Sequence, residues 1–247
     1  MLELQAVSKN FGELQALHGI DLHFRRGTVS GLIGPNGSGK TTLVNIITGI
    51  YPPDSGRVLL DGIDVSRNSA DQITRLGVSR SFQNIRIFNR MSVLENVIAA
   101  FIGHDKSGLR ALLGPAKHAG DPSVMAARQA LETVGLLEKS NLSASELPLP
   151  LRRRLEIGRA LACDPKVLVL DEPAGGMTPV ETASISELIR SRIAPGRTCI
   201  VIEHKMDLIS HVCEYLCVLN HGEKIAEGDP RSVVSQPEVI EAYLGRA

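Results

Sequence analysis

Eight consecutive residues, Gly34-Pro35-Asn36-Gly37-Ser38-Gly39-Lys40-Thr41, fit the pattern G-x-x-x-x-G-K-[ST]. Glycines at these positions let the backbone curl so that several N–H groups point inward as an anion nest. A helix starting at the end of the loop adds the positive end of its dipole. Lys40 is then placed to hold the outer phosphates of a nucleoside triphosphate and the Thr41 hydroxyl to reach a magnesium ion, with Thr42 beside them in the nucleotide-binding loop. A second group of residues completes this chemistry. Val167-Leu168-Val169-Leu170 reads as a buried strand, and Asp171-Glu172 sit at its C-terminal end, the end at which ligands bind in parallel sheets. Asp171 is expected to support the magnesium ion, and Glu172 to polarise an attacking water.

The elements that must position these groups alternate. Residues 2–7 and 15–24 have strand-like alternation, Val29 to Ile33 is a short apolar run, and Thr41 to Thr48 reads as a helix closed by Gly49. Val58-Leu59-Leu60 before Asp61-Gly62 suggests another strand, in an antiparallel sheet near the N-terminus. Beyond about residue 84 the spacing turns helical, at Val93 to Phe101, Ser123 to Leu137 and Arg152 to Ala162. Strand runs return at Val167 to Leu170 and Thr198 to Ile202, with a helix over Pro179 to Ile193 between them, and Val218 to Ala226 turns through Asn220-His221-Gly222 as a hairpin. Alternating strands and helices imply an α/β fold with a largely parallel sheet covered on both faces.

The bulk composition narrows the function classes. The chain has 247 residues, 43% of them hydrophobic, enough for a sizeable core. Lys plus Arg equals Asp plus Glu at 27 each, there is no Trp, and aromatic residues make up 3%. The charge balance gives no hint of a nucleic-acid partner or an acidic membrane surface, and the few aromatic residues argue against base-stacking platforms. Met1-Leu2-Glu3-Leu4-Gln5 does not read as a signal peptide. The apolar stretch Val93 to Gly103 is broken by Glu95 and Asn96 and falls short of the roughly 20 residues that a spanning helix needs. Cys163, Cys199, Cys213 and Cys217 form no C-x-x-C pair and are expected to be buried free thiols in a reducing cytosol.

With these residues in place, the chain resembles the ATP-binding cassette (ABC) family over nearly its whole length. The resemblance implies a P-loop NTPase cassette with a RecA-like core, an N-terminal antiparallel β-subdomain and an α-helical subdomain. The boundaries it suggests within this single domain are a nucleotide-binding core over 1–84 and 161–247 and a helical subdomain over 85–160. It also implies ATP and Mg²⁺ as ligands, and ATP hydrolysis coupled to transport. Gln83, in Ser81-Phe82-Gln83-Asn84, looks like the Q-loop glutamine that senses Mg²⁺ and the γ-phosphate. His204, after Val201-Ile202-Glu203, looks like the switch histidine that contacts the γ-phosphate. Phe11 sits where the family places a ring against adenine, with core packing as the other reading of that residue.

Within the family the chain is similar to the ATPases of branched-chain amino-acid importers. The similarity rests on Ser81 to Phe88, Met91 to Val97, Asp171 to Pro179 and the ending Ala242-Tyr243-Leu244-Gly245. Urea importers and lipopolysaccharide exporters use similar subunits, so several cargoes stay open. A soluble regulatory or repair ATPase and a mainly structural ATP-binding subunit are the competing classes. The resemblance implies transmembrane permease subunits and a second ATP-binding subunit as partners, and a peripheral place on the cytoplasmic face of the inner membrane. Asn84 to Arg90 is apolar and basic, and is expected either to receive a short helix of a permease or to pack its Ile85, Ile87 and Phe88 inside the helical subdomain.

Two stretches depart from the family pattern. Where the family's signature loop usually reads L-S-G-G-Q, this chain has Leu147-Pro148-Leu149-Pro150-Leu151. Pro148 removes a hydroxyl and an N–H, and Pro150 removes a second N–H. Losing one charge-stabilising donor costs about 3–4 kcal/mol in a transition state, so this loop is expected to make a degenerate site, and the chain to work in a heterodimer with a partner whose signature is sound. The alternative, in which Arg152 to Arg154 and the helix N-terminus supply the missing donors, stays open. Thr178 stands where the family often has Asp.

Overall fold

The structure is a computed structural model in which residues 1–103 and 121–244 are described. Two long strands, β1 (Leu2–Phe11) and β2 (Leu14–Phe24), pair antiparallel, and β1 also pairs with β4 (Ser55–Leu60), which continues into the short β5 (Ile63–Asp64). This sheet has the order β2-β1-β4-β5. The main sheet has the order β10-β9-β3-β8-β7-β6. Its members are β3 (Val29–Ile33), β6 (Val78–Arg80), β7 (Val167–Asp171), β8 (Thr198–Ile202), β9 (Tyr215–Asn220) and β10 (Glu223–Gly228). The neighbouring pairs from β9 through β6 are all parallel, and β10 is antiparallel to β9. The two expected sheets are therefore both present.

Strand period decides how the two halves of the molecule are joined. Every residue of β3, β7 and β8 is buried. Successive side chains point to opposite faces, so alternate residues of one strand enter different cores. Ile33, Leu168, Leu170 and Val201 join one core, built with helices α3 (Val93–Ile98), α4 (Pro122–Thr133), α5 (Leu149–Leu161), α6 (Pro179–Leu188) and α7 (Met206–Val212). Leu32, Val167, Val169, Ile200 and Ile202 join the other, built with α1 (Lys40–Ile47) and the N-terminal sheet. The strand ends that carry the chemistry thus emerge between two packed layers.

Several boundaries differ from the sequence reading. The helix expected over Val93 to Phe101 is α3 followed by a 3₁₀ turn, Ala99–Gly103. The helix expected over Ser123 to Leu137 is α4, which stops at Thr133; a separate 3₁₀ turn, Leu137–Lys139, follows. Gly135 lies between them at φ 71°, a left-handed conformation that ends a helix. The helix over Pro179 to Ile193 is α6 with a π-helical end, Ile189–Ile193. Six strands and helices escaped the sequence reading: β5, α2 (Ala70–Arg75), β6, α7, α8 (Pro230–Val233) and α9 (Pro237–Leu244). Strand β6 has three residues, too few to show a period. Part of the helical subdomain expected over 85–160, and Gly245 of the C-terminal similarity, lie outside the described residues.

The signature stretch is also corrected. Leu147 to Leu151 is a loop only at its start: Leu147 and Pro148 precede the helix, Pro148 is the N-cap of α5, and Leu149, Pro150 and Leu151 form its first turn. Proline is tolerated there because N–H groups of the first turn have no partner within the helix. Of the cysteines, Cys199, Cys213 and Cys217 are buried free thiols, and Cys163 is half-buried with its Sγ 4.0 Å from the Ala100 carbonyl.

Candidate functional site

The glycine-rich loop leaves β3 at Ile33 and enters α1 at Lys40. Gly34, Gly37 and Gly39 have φ of 150°, 80° and 101°, conformations that disfavour a side chain. At two of them there is also no room. A Cβ on Gly34 would lie 2.1 Å from the Leu219 carbonyl oxygen, and one on Gly39 would lie 2.7 Å from the Ala16 carbonyl oxygen. The loop is held from outside by the β9–β10 turn: Gly222 N–H donates to the Ser38 carbonyl (3.1 Å), and His18 N–H donates to the Gly222 carbonyl (2.8 Å).

Lys40 curls back over this loop. Its ammonium donates to the Gly34 carbonyl (2.7 Å), the Pro35 carbonyl (2.9 Å) and Ser38 Oγ (3.4 Å). Burial lowers its pKa, while the nearby carboxylates of Glu172 and Asp171 act in the opposite sense. A buried ammonium set among backbone amides and facing two carboxylates suits a polyanion that arrives with its own cation.

A cavity of about 530 Å³ opens over the loop. Asn36, Gly37, Ser38, Gly39, Lys40, Thr41 and Thr42 line it from one side, and Gln83, Asp171, Glu172 and His204 from the other. Gly34 and Pro35 stand behind the lining and contribute carbonyls to Lys40. Phe11 is at the rim, 45% exposed, so the core-packing alternative for this ring does not hold. Its ring meets that of Tyr51 edge-on, with centroids 5.5 Å apart.

The acidic pair is set by β7 and β8. Glu172 N–H donates to the Ile202 carbonyl (2.9 Å), which brings the segment after β7 beside the one after β8. His204 Nε2 consequently lies 3.4 Å from Glu172 Oε1. Glu172 has φ 47°, a left-handed conformation that is strained for a residue with a Cβ. Asp171 meets Arg80, which the sequence reading missed: Arg80 Nη2 is 2.5 Å from Asp171 Oδ2, and Nη1 is 2.6 Å from Asn45 Oδ1. Asn45 in turn donates to the Tyr51 hydroxyl (2.7 Å). The one sequence signal for Arg80 was its place, three residues before Gln83.

The Q-loop candidate is held through its backbone. Arg153 Nη1 donates to the Gln83 carbonyl (2.6 Å), and Glu156 Oε1 accepts the N–H groups of Phe82 and Arg86, each at 3.3 Å. Burial raises the Glu156 pKa, and these N–H groups and Arg153 oppose the shift. Farther along, Ile85 and Ile87 are half-buried and Ile87 packs on the helical core, whereas Phe88 is 49% exposed beneath the Arg159 guanidinium. The expected groove is therefore divided: part of its apolar surface packs inward, and part stays outside.

Residues 17–175 match the family model described as ABC transporter. The chain belongs to the ABC transporter family. It is an ATP-binding cassette and an ATPase of that family. Residues 223–247 of the cassette match a second model, described as branched-chain amino acid ATP-binding cassette transporter. The cassette is 39% identical, over 100% of its length and 98% of theirs, to the high-affinity branched-chain amino acid transport ATP-binding proteins BraF of Pseudomonas aeruginosa and LivG of Escherichia coli K12. Among solved structures it is similar to an ATP-binding cassette of an ABC transporter in the ADP conformation, with a TM-score of 0.89 and 34% identity over 100% of this chain and 99% of that one. A nucleotide-free cassette from an ABC transporter gives a TM-score of 0.88 at 33% identity, with the same coverage.

In the cassette, the arginines after the signature stretch are engaged within the chain. Arg152 donates to the carbonyls of Leu147 (2.7 Å) and Ser145 (2.8 Å), Arg153 holds the Q-loop segment, and Arg154 donates to Ser184 Oγ (2.9 Å). Thr178 is the N-cap of α6, with its side chain and that of Glu181 forming a reciprocal capping box. The hydroxyl that stands where the family often has a carboxylate thus serves as the cap of this helix.

Proposed function

We propose that this cassette is the motor of an importer for branched-chain amino acids or similar small polar solutes. The full-length similarity to BraF and LivG supports the cargo class. The arrangement that carries the chemistry is the single cavity in which Lys40, Asp171, Glu172 and His204 meet.

In this reading the amides of Gly34 to Thr42 and the Lys40 ammonium grip the β- and γ-phosphates of ATP. Lys40 gives up its bonds to the Gly34 and Pro35 carbonyls for phosphate oxygens. Phe11 stacks on the adenine. The hard oxygen donors of Thr41, Gln83 and Asp171 fit Mg²⁺. When bound, that ion supplies charge neutralisation at the phosphates. Glu172 orients and polarises the attacking water, and His204 contacts the γ-phosphate from the facing strand end. Gln83 reports the filled site to the helical subdomain through Arg153.

The cassette docks on transmembrane permease subunits at the cytoplasmic face of the membrane. Among the described residues no helix is long and apolar enough to cross a membrane. A cavity of about 300 Å³ lined by Ile50, Phe82, Arg86 and Arg159 offers the place for a permease helix. The second ATP-binding subunit is a different chain with an intact signature, because Pro148 and Pro150 leave the first turn of α5 short of donors. Reconstitution with the permease and a second cassette that carries an intact signature tests this reading: substrate-stimulated ATPase activity is expected only from the mixed assembly. Equal activity from this chain alone with the permease would refute the heterodimer.

A further inference from the structure

The residues on either side of His204 send their side chains away from the nucleotide cavity. Glu203 is 2% exposed. Its Oε1 accepts the Ala174 N–H (2.9 Å), and its Oε2 accepts the N–H groups of His204 (3.0 Å) and Lys205 (3.3 Å). Lys205 reaches the same turn from the other side. Its ammonium donates to the carbonyls of Ala174 (3.0 Å) and Met177 (2.7 Å) and to Thr182 Oγ1 (2.9 Å). Three acceptors use all three donors of an ammonium, and bonds from a charged donor are the stronger kind. Both backbone polar groups of the buried Ala174 are thus taken by the two neighbours of the histidine.

The turn they grip carries a strained residue. The Glu172 carbonyl accepts Gly175 N–H (3.0 Å), and the Ala174 carbonyl accepts Met177 N–H (3.1 Å). This turn follows directly on the left-handed Glu172. Strain of this kind persists only where the surroundings over-determine it.

We propose that Glu203 and Lys205 are positioning residues that fasten the Ala174–Met177 turn to the backbone of His204 and so hold Glu172 in the left-handed conformation that aims its carboxylate into the cavity. The inference rests on Glu172 being the group that activates water. Neither Glu203 nor Lys205 lines the cavity, so the clamp acts on turnover and leaves nucleotide affinity alone.

Two substitutions test it. Lys205→Met keeps the aliphatic stem and removes three donors. Thr182→Val removes one acceptor at nearly constant volume and guards against a Lys205 variant that does not fold. Each is assembled with the permease and the second cassette, beside Glu172→Gln. Lys205→Met is expected to lower kcat about tenfold or more with KM for ATP within about twofold, and Thr182→Val to lower kcat about two- to fivefold. In the isolated chain, affinity for a fluorescent ATP analogue stays within about twofold of the parent, while amide exchange at Gly175 and Met177 quickens. Normal turnover in both variants beside an inactive Glu172→Gln would overturn the clamp and spare the base. Equal loss of kcat and nucleotide affinity would also overturn it, as the mark of a general structural role. An active Glu172→Gln would remove the base assignment on which the clamp depends.

Discussion

Arg80 and Asp171 form an ion pair of 2.5 Å between side chains that are 8% and 11% exposed. The carboxylate assigned to magnesium is therefore held by a cation of the protein, and that cation is forked onto Asn45 at the back of α1. Breaking such a pair from one side leaves a buried charge without a partner, at a cost of about 3–5 kcal/mol. Arg80→Met is expected to lose stability of that order in urea unfolding. Arg80→Lys should recover part of it, because an ammonium satisfies Asp171 but cannot fork. An Arg80→Met chain as stable as the parent would show that the pair contributes nothing net.

Glu172→Gln removes the carboxylate that faces His204 and keeps its shape. ATP affinity should be retained, while hydrolysis by the mixed assembly falls about 10²-fold or more. The measurement is phosphate release beside equilibrium nucleotide binding. Activity retained near the parent level would remove Glu172 as the base and move turnover to the other composite site.

Gly39→Ala should act on binding. The added methyl meets the Ala16 carbonyl at 2.7 Å and Leu17 Cδ2 at 2.8 Å, at a φ of 101° that alanine avoids. Nucleotide affinity is expected to fall about tenfold or more, and the thermal midpoint to drop with it, since strain of about 1–3 kcal/mol is stored at the start of α1. Titration with ATP and a thermal melt check both.

The first turn of α5 offers a gain-of-function experiment. Pro148→Ser with Pro150→Gly restores a hydroxyl and two N–H groups. One recovered donor is worth about 10²-fold in favourable cases, so ATP hydrolysis by pairs of this chain should rise about tenfold or more. No change would show that the two prolines are not what limits hydrolysis at this helix end.

The thiols give a pH-dependent test. Burial pushes Cys199, Cys213 and Cys217 up to about 12. The thiolate is the reactive form, so the reactive fraction at pH 8 is roughly one in 10,000 and rises tenfold per pH unit. Alkylation at pH 8 should therefore spare these three in the native chain and reach them in denaturant. Rapid native labelling of any of them, read by mass spectrometry of peptides, would contradict this burial.

Some of this was legible in the sequence because it is local. A loop of glycines ending in Lys40-Thr41 and a strand ending in Asp171-Glu172 carry their chemistry in consecutive residues, and β3, β7 and β8 announce themselves as short runs of apolar side chains. The same locality made the two prolines at 148 and 150 visible as lost donors. Period and spacing were too weak for the three-residue β6 and for the short helices after β10.

What the fold alone decided are relations between residues far apart in the chain. Arg80 lies 91 positions from Asp171, yet parallel pairing of β6 with β7 sets them side by side. Glu203 and Lys205 reach back to Ala174 because β7 and β8 are neighbours in register. Glu172 acquires its left-handed backbone from that same closure, and the arginines after the signature stretch turn out to be bound within the chain. Residue type fixes which groups are able to grip a phosphate or donate a bond. Strand order fixes which of them meet, because hydrogen bonding acts only over a few ångströms and nothing in the linear order records that distance.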